Sequence, residues 1–98
     1  MKIFQLALIT ALVLSPQMTA ANAIRNACLK ADRGSRSQCS CIQSIADRTL
    51  NNSQQRKGAT FFANPQRAQD TRQSDRRADT EMWEAWKNFG QTAAAICS

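Results

Sequence analysis

Four cysteines limit what this chain can fold into more than any other feature. Cys28, Cys39 and Cys41 fall within the single stretch CLKADRGSRSQCSC, and Cys97 stands one residue from the end. A bridge between Cys39 and Cys41 would close a tiny, strained ring around Ser40, so each must reach elsewhere. Two pairings remain: Cys28 with Cys39 and Cys41 with Cys97, or the same set with partners exchanged. Either one ties the Cys-x-Cys segment both to the chain upstream and to the far terminus.

Disulfides persist in oxidising compartments, and the start of the chain agrees with export. MKIFQLALITALVLSPQMTAANA has a charged start at Lys2, an apolar run from Ile3 to Leu14, a polar region around Pro16, and small residues at Ala21 and Ala23. That order is the pattern of a signal peptide, with the expected cut after Ala23. The apolar run is about a dozen residues, short of the roughly 20 that a membrane-spanning helix needs. Arg25, three places before Cys28, excludes a lipoprotein box. Residues 1–23 are therefore read as a leader and residues 24–98 as one small domain, periplasmic or secreted, with no transmembrane segment in the mature chain.

Beyond the leader the chain offers only about a dozen large apolar side chains, each contributing roughly 1.5–3 kcal/mol when buried. Ordering costs about 1.5 kcal/mol per residue, which makes such a core marginal and covalent staples structurally necessary. Structural disulfides are the expected role of Cys28, Cys39, Cys41 and Cys97. The competing chemistry is a thiol-redox or copper-handling centre at Cys39 and Cys41. It lacks histidine anywhere in the chain, a further Cys or Met cluster, and the Cys-x-x-Cys spacing of a redox couple.

Periodicity points to an all-α fold, a bundle of four to five helices. Ile24, Ala27, Cys28 and Ala31 share a face of a short first helix, ended by DRGSRS with Gly34 as the left-handed residue. Ile42, Ile45, Ala46, Thr49 and Leu50 make one stripe of a second helix over about Ser37 to Leu50. Ser53 is read as the cap of a third helix running through Phe62 and weakened by Gly58. Asn64 followed by Pro65 opens a fourth, reaching about Arg72. Ser74, followed by Asp75, is read as the cap of the last helix, which continues almost to Cys97.

That helix carries Trp83, Trp86, Gly90, Ala93, Ala94 and Cys97 at spacings of three and four. The two tryptophans are expected in the core, with a ligand-stacking platform as the functional alternative. Gly90 and the run Ala93 to Ala95 suggest that another helix approaches closely there.

The absence of histidine removes the usual general base and the Ser/His and Cys/His nucleophile pairs. The carboxylate pairs Asp75/Asp79 and Glu81/Glu84 are interleaved with Arg72, Arg76, Arg77 and Lys87, the pattern of a solvated, salt-bridged face. No catalytic residue, metal or cofactor is implied, and the chain is read as a non-enzyme. The formal charge is +6, one less once Lys2 leaves with the leader. Such a surplus favours an anionic envelope component as partner, with a protein partner as the alternative. No aromatic residue is interleaved with the arginines, and no nucleic-acid motif is present.

The segments CSCIQSIADRTL, QQRKGATFFANPQRAQDTRQSDRR and MWEAWKNFGQTAAAICS resemble a family of small secreted, four-cysteine helical proteins of Gram-negative bacteria. Some of its members carry the automatic name "arginine transporter". The resemblance covers nearly the whole mature chain, and its label implies an accessory role in amino-acid transport. A permease needs several spans and an enclosing binding protein usually needs two lobes, so an accessory subunit is the transport role open to a chain this short. The residues themselves favour a non-catalytic binding or envelope interaction module.

Overall fold

The computed structural model describes residues 20–98, so the charged start and apolar run of the leader lie outside the described residues. Five helices follow one another: α1 Ala23–Lys30, α2 Arg36–Thr49, α3 Asn52–Ala63, α4 Pro65–Gln73 and α5 Arg77–Cys97. The fold is a small disulfide-stapled all-α bundle, with no strand among the described residues. No described helix is long and apolar enough to cross a membrane.

Most helix ends follow from short-range chemistry, and three of them correct the sequence reading. The left-handed residue after α1 is Asp32, φ 57°, and Gly34 has no positive φ. The amides of Asp32 and Arg33 donate back to the carbonyls of Leu29 and Cys28 at 3.1 and 3.0 Å. This is a Schellman closure, in which Asp tolerates the left-handed position better than most residues with a Cβ.

The cap of α3 is Asn51, not Ser53: its side chain accepts from the Gln54 amide at 2.8 Å while Gln54 Oε1 accepts from the Asn51 amide at 2.9 Å. A reciprocal capping box needs Glu or Gln three residues on; Asn51 has Gln54 there, whereas Ser53 has Arg56.

Ser74 ends α4 and does not open α5. Its hydroxyl accepts from the Arg76 amide at 3.2 Å and donates to Asp79 Oδ2 at 2.7 Å. Because α5 starts at Arg77, the acid in its first turn is Asp79 and not Asp75. Asn64 and Pro65 open α4 as the sequence indicates, Asn64 Oδ1 accepting from the Gln66 amide at 3.2 Å.

Helix α1 packs against α2 and α3, α2 packs against α5, and α4 lies against both α3 and α5. The core is formed by Ile24, Ile45, Ala46, Leu50 and Phe89, with Ile42, Ala59, Phe62, Trp86 and Ala93 packed against it. The inward face of α5 is therefore rotated from the stripe drawn on the sequence. Met82 and Phe89 are its buried residues, Trp83 is half-buried, and Gly90 and Ala94 are exposed. Nothing lies within 4 Å of a Cβ built on Gly90, so no helix approaches there. The close approach occurs at Gly58 instead, where such a Cβ would come within 2.9 Å of Trp86 Cε3.

Cys28 bonds Cys39 and Cys41 bonds Cys97, the first of the two pairings open to the sequence. The first staple joins α1 to α2 across 11 residues and the second joins α2 to the end of α5 across 56. Two disulfides in a domain this small fit an oxidising compartment.

Candidate functional site

The residues singled out by sequence divide into structural and surface groups. Cys28 and Cys39 are fully buried, Cys41 and Cys97 are half-buried, and no described cysteine is free. Cys39 and Cys41 thus face different helices, each already bonded, and present no dithiol. Among the described residues no cluster of three or more His, Cys, Asp or Glu could hold a metal ion.

Trp86 sits within an aromatic group, with ring centroids 5.1 Å from Phe61, 6.1 Å from Phe62 and 4.8 Å from Phe89. The Phe61 and Phe62 contacts are edge-on and the Phe89 contact is tilted; edge-on aromatic pairs stabilise beyond simple area burial. The structure does not place Trp83 in that group; it is half-buried with no ring partner among the described residues. The two tryptophans therefore form no shared stacking platform.

Of the four carboxylates, Asp79 and Glu84 pair with lysines, and neither Asp75 nor Glu81 forms an ion pair among the described residues. Lys57 Nζ on α3 lies 2.9 Å from Asp79 Oδ1 on α5, and Lys87 lies 3.3 Å from Glu84. The Ser74 hydrogen bond, then the Lys57 ammonium, hold the Asp79 carboxyl below its ordinary range. Asp79 thereby links α3, α5 and the turn before α5. A cavity of about 570 Å³ adjoins this link, with Phe61, Asn64, Arg67, Asp70 and Thr71 in its walls, and two of its charged groups, Lys57 and Asp79, satisfy one another.

A buried polar network that sequence reasoning missed fixes α1 against its neighbours. Gln43, 5 % exposed, accepts the Arg25 amide on Oε1 at 2.8 Å. Its Nε2 donates to Asp47 Oδ1 and to Gln55 Oε1, each at 2.8 Å. Asn22 makes no side-chain cap at the start of α1, so Gln43 supplies from α2 an acceptor that a local cap would otherwise give. The signal was present in the sequence: Gln43 stands within the apolar run of Ile42, Ile45 and Ala46, and Gln55 lies three residues before Gly58. The expected cut after Ala23 falls immediately before fully buried Ile24, after the first residue of α1, and Gln43 lies well downstream of it.

A groove of about 680 Å³ lies between α1 and α3. Ala27 on α1 and its capping residue Ala31, and Ala59 and Ala63 on α3, are spaced four apart, so small side chains line both walls and leave the space open. Phe62 and Pro65 complete the apolar lining, and Phe62 also packs on the core. The volume lies within the usual range of small-molecule sites.

Lys30, in the last turn of α1, and Arg33, in the Schellman closure, line the same groove and are both exposed. Neither side chain has an ion-pair or hydrogen-bond partner among the described residues, and Asp32 between them pairs with neither. An apolar trough with two unpaired cations results. None of its residues was singled out as a binding site from sequence, because the groove exists only where two separate helices meet.

Comparison with protein-family models, with curated proteins and with solved structures returned no match.

Proposed function

We propose that this protein is an exported, periplasmic or secreted, non-catalytic binding module that engages an anionic component of the cell envelope through the groove between α1 and α3. The observation that carries this reading is the combination of apolar walls with the unpaired cations Lys30 and Arg33. The cationic surplus of the chain draws an anionic partner toward the surface, and the groove gives it a place to dock. The four cysteines serve as scaffold in this reading, since each is committed to a bridge between helices.

The test is retention of the purified mature chain on a washed envelope fraction, compared with Ala63→Phe and with the double variant Lys30→Gln/Arg33→Gln. Ala63 is an exposed groove residue, so a larger side chain there obstructs the trough without entering the core. Salt-sensitive retention that both variants reduce supports the reading. Absent retention, or retention that neither variant alters, refutes it.

A further inference from the structure

Resting on that reading, we infer that the groove between α1 and α3 takes a single-chain anionic amphiphile, with its acyl chain along the apolar walls and its anionic head at Lys30 and Arg33. The walls are supplied by side chains without hydrogen-bonding groups: Ala27, Ala31, Ala59, Phe62, Ala63 and Pro65. The hydroxyl of Thr60, the one neutral polar side chain in the lining, already donates to the Lys57 carbonyl at 2.6 Å. The cap amides of Ala31, Asp32 and Arg33 at the end of α1 are likewise engaged with α1 carbonyls.

This inventory discriminates between occupants. A peptide laid in the trough would bury amides and carbonyls with almost nothing to meet them, which is costly. A hydrocarbon chain asks for no such partners and gains by leaving water. The polar demand of the ligand is then confined to its head group, for which the lining offers Lys30 and Arg33, neither of them paired among the described residues. A cationic head would be repelled there, and a neutral one would forgo the electrostatic attraction.

Phe62 also couples the groove to an intrinsic reporter. Its ring meets Trp86 edge-on with centroids 6.1 Å apart, so a chain pressed against Phe62 alters the surroundings of the indole. Substituting Trp83→Phe leaves Trp86 as the one tryptophan, because the chain contains two.

The experiment titrates the mature chain, in the Trp83→Phe background, with octanoate, decanoate and dodecanoate below their micelle concentrations. Dodecanol and dodecyltrimethylammonium serve as head-group controls, and an uncharged apolar peptide is the competing occupant. Calorimetry and Trp86 emission are read together. The expected result is a gain in affinity of up to about tenfold for each pair of methylenes until the trough is filled. Dodecanoate should bind at least about tenfold more tightly than dodecanol, and the cationic amphiphile should bind weakest. Lys30→Gln/Arg33→Gln should remove the preference for carboxylate over alcohol while sparing the alcohol, and Ala63→Phe should weaken every chain.

Equal binding of the three head groups, no dependence on chain length, or tighter binding of the peptide overturns the ligand assignment. Thermal unfolding of each variant separates lost binding from lost folding. If amphiphiles fail while envelope retention remains groove-dependent, the ligand class is wrong and the binding module stands. If both fail, the functional reading falls with it.

Discussion

Gly58 on α3 lies against the indole of Trp86 on α5, so close that a Cβ at position 58 would meet the Cε3 and Cη2 atoms at 2.9 and 3.0 Å. Gly58 is there because a side chain would occupy the volume of the indole, despite the helix cost that glycine carries. Trp86 cannot simply retreat, since Phe61, Phe62 and Phe89 surround it.

Gly58→Ala should therefore destabilise the fold by about 1–3 kcal/mol through overpacking, although alanine favours a helix interior by up to about 1 kcal/mol. Pairing it with Trp86→Phe should recover part of that loss. Chemical denaturation of the four members of the cycle checks the coupling; strictly additive effects would show that the two residues do not limit one another.

Trp86→Ala should cost about 3–5 kcal/mol, as for large aromatics packed on a core, whereas Trp83→Ala should cost clearly less because its ring lies outside the aromatic group. Urea unfolding of both variants gives the order. A costlier loss at Trp83 would place the centre of packing elsewhere.

Removing Cys41–Cys97 with paired serines should lower stability by about 4 kcal/mol, from the loop-closure entropy of a 56-residue separation, equivalent to a melting shift of some tens of degrees. This bridge is also half-buried where Cys28–Cys39 is fully buried. Graded reduction with alkylation and peptide mapping should label Cys41 and Cys97 before Cys28 and Cys39. Simultaneous labelling would mean that opening either bridge unfolds the domain.

Asp79 should give the fold an acid-sensitive link. Its carboxyl titrates below the ordinary value because Ser74 and Lys57 favour the charged form. The stability it contributes is present above the ordinary carboxylate range and is lost as pH falls through the lowered folded value. Asp79→Asn should flatten the loss of stability on acidification below about pH 4, and Ser74→Ala should move the Asp79 midpoint upward by NMR titration. Unchanged acid curves in both variants would remove Asp79 from this role.

Gln43→Ala should leave the Arg25 amide and Gln55 Oε1 without their partner, at a cost of about 1–3 kcal/mol for each buried group left unsatisfied. Hydrogen exchange across α1 should accelerate first, since Gln43 completes the amides at its start. Undisturbed protection at Arg25 would show that solvent replaces the glutamine without loss.

Local chemistry was legible in the sequence wherever neighbours a few residues apart decide the outcome. Ile42, Ile45, Ala46 and Leu50 identified the core stripe of α2, Asn64 and Pro65 opened α4, and the four cysteines implied two bridges between distant segments. Short-range reading failed where two local candidates competed. Glycine is the default left-handed residue, yet Asp32 and not Gly34 takes that position, and Ser53 is a good cap by type, yet Asn51 is the residue with Gln54 three places on to complete a reciprocal pair. Of the candidate site, the sequence grouped Ala27 with Ala31 and placed Phe62 and Pro65 at the junction of the third and fourth helices, but nothing along the chain says that those two segments face one another.

By itself the sequence determined that the chain is helical, where α2 and α4 begin, and that covalent staples supplement a small core, because those follow from spacings of three and four, caps and thiol chemistry. Tertiary structure alone chose between the two disulfide pairings, turned Met82 and Phe89 of α5 inward in place of Trp83 and Gly90, brought Gly58 beneath Trp86, and opened the groove beside Lys30 and Arg33. Each of those outcomes depends on how a helix is rotated about its own axis and which helix it meets. That rotation is fixed by packing against residues far away in the chain, which no local pattern encodes.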